Sequence, residues 1–147
     1  MFTYSFTRFL FQIEVLGRLR GLGTHVASCG ADETTLSRLA YLMNCAKEEY
    51  AILGSFMKGQ DSPIFMGIPV MLAFESIDND FAFWLHGVEN ILSGTLLPSD
   101  HTSRQLYEPA TTVINALLRI YFQFLAFLQL SINENFELVL EQSFSHF

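Results

Sequence analysis

The stretch DETTLSRLAYLMNCAKEEYAILGSFM, residues 32–57, carries the strongest structural signal in the chain. Leu36, Leu39, Met43, Ala46, Tyr50, Leu53 and Met57 recur at alternating steps of three and four. A helix turning 3.6 residues per turn gathers all of them on one face. Arg38, Lys47, Glu48 and Glu49 fall off that face. Asp32 stands where an N-cap belongs, because its carboxylate can accept from a first-turn N–H. Glu33 then adds negative charge where the helix dipole favours it. So regular a seam is the mark of a helix bundle crossing near 20°, rather than of steep globin-like packing.

The same period extends in both directions. Gly21 to Gly30, residues 58–63, residues 97–100 and residues 131–135 concentrate Gly, Pro, Ser, Asp or Asn, which punctuate helices. They divide the chain into five segments, roughly 3–19, 32–57, 64–97, 103–130 and 134–146. In the first, Phe6, Phe9, Ile13, Leu16 and Leu19 form one face, and Leu10, Phe11 and Val15 make others apolar too. A helix apolar nearly all round is buried on several sides. Glu14 and Arg18 form an i,i+4 pair in the favourable order. In the third, Phe74, Ile77, Phe81, Trp84, Val88 and Leu92 oppose Glu75, Asp78, Asn79, His86 and Glu89, and Pro69 starts or kinks the segment. Pro109 plays either role in the fourth. No segment alternates as a strand does. The expected fold is all-α: one domain over residues 1–147, an antiparallel bundle of four main helices plus a short C-terminal helix.

A chain of 147 residues can bury such a core without disulfide or metal staples. Half its residues are hydrophobic, only 16% are charged, and mean hydropathy is +0.30. Either the core is large for the chain or some apolar surface is covered by something else. The net charge of −7, with eight Lys and Arg in all, provides no electrostatic footprint for nucleic acid or for anionic lipid. Cys29 in a loop-like stretch and Cys45 in a helical pattern make no disulfide framework, so a reducing, cytoplasmic setting is expected. The N-terminus lacks the basic region and small-residue cleavage site of a secretory signal and reads as a core helix.

Few residues suggest chemistry. No P-loop, G-x-S-x-G or H-E-x-x-H occurs, and no His stands in a local pattern with Cys29 or Cys45. No cofactor is called for, and the balance leans away from an enzyme. His86 and Glu89 stand at i,i+3, and Glu75 and Glu108 lie on neighbouring segments. Ferritin-like bundles place Glu and Glu-x-x-His ligands in such a core. If these four residues converged inside, the chain would resemble that class. The order of the pair is reversed, however, and the polar face of the third segment opposes its apolar one, where solvent belongs. Trp84 reads as core. Tyr107, Tyr121, Phe122, Phe124 and Phe127 read as core before they read as an apolar ligand pocket.

The fourth segment raises the functional question. Glu108, Thr112, Asn115, Arg119 and Gln123 form one polar stripe, which fades into Ala126 and Leu130. From Phe124 onward only Gln129 interrupts the apolar surface. A bilayer span would have to absorb Arg119 at about 2.5–3.5 kcal/mol against about 0.3–0.6 gained per Leu, Ile, Phe or Val. Protein is the better cover. Phe122, Phe124, Leu125, Phe127 and Leu128 are therefore the candidate interface. The functional expectation is a non-enzymatic interaction or assembly protein, joined to a second copy or to a helical protein partner. The alternative is a metal- or small-apolar-ligand-binding bundle of ferritin-like type.

Overall fold

The computed structural model describes residues 2–58 and 70–145, with the side chains at 2–6, 56, 58, 70–74, 127, 131, 144 and 145 left aside. Four helices make up the described chain: α1 (Phe2–Cys29), α2 (Glu33–Lys58), α3 (Val70–Leu92) and α4 (Asp100–Ser145). Among the described residues there is no strand. The chain folds as an antiparallel helical bundle.

Helix ends follow local chemistry. Asp32 caps α2, its Oδ1 accepting from the Thr35 N–H at 2.8 Å. Ser99 caps α4 in the same way, accepting from the Thr102 N–H at 3.0 Å. Gly30 ends α1 at φ 74°, its N–H bonded to the Val26 carbonyl at 2.7 Å. Gly94 ends α3 at φ 75°, and the Thr95 N–H reaches back to the Asn90 carbonyl at 2.9 Å. These are left-handed C-terminal stops, where a side chain with a Cβ would be strained.

Contacts between helices fix the topology. Gly23 of α1 packs beside Leu39 of α2 and Val88 of α3. Nearer the start of α1, Arg8 donates to Glu49 Oε1 at 2.9 Å, and the buried Gln12 donates to Glu49 Oε2 at 3.2 Å. Thus α2 runs antiparallel to α1. Lys47–Glu89, at 3.0 Å, and the stacked rings of Tyr50 and Phe81 set α3 antiparallel to α2. Gly87 brings α3 close to Leu106 of α4. Each helix packs on its two neighbours, and α1 also touches α3 across the diagonal. The centre is filled by Leu19, Leu39, Trp84, Val88, Val113 and Leu117, all essentially without solvent contact.

Two expected boundaries move. Gly21 and Gly23 do not stop α1, which continues to Cys29 and buries Val26 and Ala27. Each glycine costs up to about 1 kcal/mol in a helix, and burying a Val side chain gains more than that. The break expected at 131–135 is likewise absent, so the short fifth helix is the end of α4. Pro109 lies inside α4, as the tenth residue of the helix, so it is not a first-turn proline. Residues 64–69 of the third segment, Pro69 among them, lie outside the described residues.

Candidate interaction surface

The length of α4 against its neighbours creates the surface. Near its start, Ser103 Oγ donates to the Thr24 carbonyl at 3.3 Å. One turn on, the Arg20 guanidinium lies over the Tyr107 ring and donates to Thr111 Oγ1 at 3.2 Å. Further along, the rings of Phe9 and Tyr121 meet at 5.8 Å. The two helices are antiparallel, so a residue gained on one is a residue lost on the other. Continued from Phe9–Tyr121, that register brings the start of α1 level with about residue 128 of α4. The end of α2 and the start of α3 lie at the same end of the bundle. Residues 129–145, the α4 overhang, then continue for about 25 Å at 1.5 Å per residue.

Exposure changes at that level. Among the described residues Phe124 is the last buried side chain of α4, and every described side chain from Gln129 to Ser143 is exposed. Six of them are large and apolar: Leu130, Ile132, Phe136, Leu138, Val139 and Leu140. Ile132, Phe136, Val139 and Leu140 are spaced i, i+4, i+7 and i+8, which is one face of a helix. Glu134, Glu137 and Glu141 are spaced three and four apart on the opposite face. Leu125 and Leu128, both half-buried, lead the apolar face back to the bundle.

The candidate interface is thereby redrawn. Phe122 faces solvent, 60% exposed. Phe124 belongs to the core at 5% and is corrected out of the free surface. It is one step of two from Phe122, which places it on the bundle face of a helix. Leu125 and Leu128 lie at the margin of the core, and the Phe127 side chain is outside the described residues. The larger apolar surface begins where the sequence candidates end. The polar stripe stands as read: Glu108, Thr112, Asn115, Arg119 and Gln123 are all exposed. Tyr107 and Phe122 face out while Tyr121 and Phe124 face in, so these four do not line one pocket.

The carboxylate candidates do not converge. Glu75, His86, Glu89 and Glu108 are all exposed, and Glu89 is paired with Lys47. Among the described residues no three His, Cys, Asp or Glu stand close enough to hold a metal ion. His86 borders an open hollow of about 190 Å³ with Phe83, Asn90, Gln105 and Leu106. A second hollow of about 180 Å³, between Val26, Leu36, Ile91, Leu97 and Pro98, is apolar and also open. Neither carries a carboxylate or a thiol. By length and composition α4 is the one helix among the described residues able to cross a membrane, and the core helix of a soluble bundle passes the same test.

No protein-family model, curated protein or solved structure matches this chain. Its functional reading rests on its own geometry.

Proposed function

We propose that this chain is a non-enzymatic interaction or assembly protein, and that the outer part of α4 is its binding element. One observation carries the reading: α4 continues past the level of the described ends of the other three helices, with six large apolar side chains exposed. A surface of that kind on a soluble chain is normally an interface. Helix-in-groove and helix-pairing modes use anchors at i, i+3, i+4 and i+7, and Ile132, Phe136, Val139 and Leu140 have that spacing. The absence of catalytic motifs in the sequence agrees with a role exercised through packing. Such a chain acts as an adaptor, regulator or complex subunit.

The test is direct. Purified full-length protein is expected to bind an apolar fluorescent dye or to self-associate. Either behaviour should be lost in the double variant Ile132→Asp, Phe136→Asp. A wild-type chain that stays monomeric at high concentration and binds no dye overturns the proposal.

A further inference from the structure

We infer that the cleft between α1 and α4 at Arg20 binds a single phosphate group, free or as a monoester. It lies on the bundle itself, away from the overhang, so it stands or falls independently of the interaction reading. Arg8, Arg18 and Lys47 each pair with a glutamate. Arg20 is half-buried on a chain of net charge −7, yet it pairs with no carboxylate among the described residues. Its guanidinium lies 5.3 Å from the centre of the Tyr107 ring and donates to Thr111 Oγ1 at 3.2 Å. The rest of its N–H fork makes no hydrogen bond to a described residue. One turn further along α1, the buried Thr24 Oγ1 has no hydrogen-bond partner among them either. Thr111 Oγ1 accepts from Arg20 and so keeps its own O–H to donate.

Glycines keep this cleft open. Gly17, Gly21 and Thr24 flank Arg20 at helical steps of three and four, and a Cβ at Gly17 or Gly21 would meet no neighbour. On the other wall, Arg104 stands one turn before Tyr107 and two before Thr111, on the same side of α4. It is exposed and pairs with no carboxylate among the described residues. Glu108 belongs to the outer stripe of α4, with Thr112 and Asn115. The cleft therefore presents donors and positive charge, which is what an oxyanion needs. A planar carboxylate would use the guanidinium fork alone. A tetrahedral phosphate can also accept from Thr24 and Thr111, which approach from two helices. Stacking on Tyr107 holds the plane of the guanidinium, so less freedom is lost on binding. The acidic net charge repels a long polyanion and limits the ligand to one phosphate group.

Nuclear magnetic resonance of the isotope-labelled full-length chain tests this, with inorganic phosphate as the titrant and chloride holding the ionic strength constant. The Arg20 Nε–H signal and the backbone amides of Thr24 and Thr111 should shift together and saturate, with a dissociation constant on the order of millimolar. Glycerol phosphate in a parallel titration distinguishes a monoester from the free ion. Acetate should bind at least about tenfold more weakly, because it leaves the hydroxyls unused. Arg20→Gln should weaken phosphate binding by at least about tenfold, since hydrogen bonds to a charged group are lost. Thr24→Val should also weaken it, and Thr24→Ser, which keeps the hydroxyl, should restore it. Arg119→Gln, on the outer stripe of α4, should leave it unchanged. The emission of the buried Trp84 confirms that each variant is folded. A wild type that gives no saturable shift overturns the inference. So does binding that survives Arg20→Gln, or acetate bound as tightly as phosphate. If Arg20→Gln fails to fold, the wild-type titrations and the Thr24 pair still decide.

Discussion

At the scale of single residues, Tyr50 shows how the bundle uses a polar atom within an apolar face. Its position in the α2 seam comes from the three-four period, and its ring stacks on Phe81 with centroids 3.8 Å apart. The hydroxyl donates to Asp78 at 2.6 Å across the α2–α3 contact. Burial, first, and then the hydrogen bond to the negative Asp78 raise the phenol well above its ordinary value. The sign for stability follows. Between pH 5 and 9 the phenol is neutral in both the folded and unfolded chains, and its contribution is constant. Above about pH 10 the unfolded chain releases that proton while the folded chain keeps it, so folding loses stability as pH rises. The difference in unfolding free energy between wild type and Tyr50→Phe should therefore be flat below about pH 9 and shrink above about pH 10. Urea titrations followed by Trp84 emission measure it. A difference that stays constant through about pH 11 would mean that Asp78 and burial leave the phenol unperturbed.

At the scale of elements, the sequence revealed faces better than lengths. The α2 seam, the Asp32 cap, the Glu14–Arg18 pair and the buried Trp84 were all readable, because each depends on spacing within one helix. Helix ends depend on what the next helix offers. Gly21 looks like the start of a break, yet it borders open space where a missing side chain costs no packing, and Val26 and Ala27 beyond it reach the core. Ser131 to Asn135 also looks like a stop, but each of these residues tolerates a helix when nothing diverts the chain. The outer part of the apolar surface, from Leu130 to Leu140, is illegible in the sequence for that reason. The missing solvent face after Phe124 was legible, whereas the overhang follows from α4 outrunning α1, a comparison of two lengths. The division between core and overhang leads to a prediction. A chain ending at residue 128 keeps every buried side chain among the described residues, from Phe9 to Phe124. Its thermal midpoint, read from Trp84 emission, should stay within about 2 °C of wild type, less than a loss of about 1 kcal/mol would produce. A truncated chain that fails to fold would show that the overhang packs on the bundle.

At the scale of the whole molecule, charge separates the two covers open to an apolar helix. The chain carries 15 Asp and Glu against eight Lys and Arg, and the only charged side chains from residue 129 onward are Glu134, Glu137 and Glu141. Basic residues near a membrane surface each contribute about 1 kcal/mol of attraction to anionic lipid, and acidic ones are repelled by the same field. An amphipathic helix that lies in the membrane interface has Lys and Arg on its polar face, and this one has carboxylates. A spanning arrangement places Arg119 and the amides of Gln123 and Gln129 in hydrocarbon, where their cost roughly cancels the gain from the apolar side chains. In the folded bundle Arg119 and Gln123 already have water. Full-length protein should thus remain in the supernatant when centrifuged with vesicles of mixed phosphatidylcholine and phosphatidylserine. Lowering the salt should not recruit it, because the unscreened interaction is repulsive. The Phe136→Asp variant should behave the same way. Wild-type protein that pellets with the vesicles while this variant stays in solution would make lipid, rather than a second chain, the cover for the overhang.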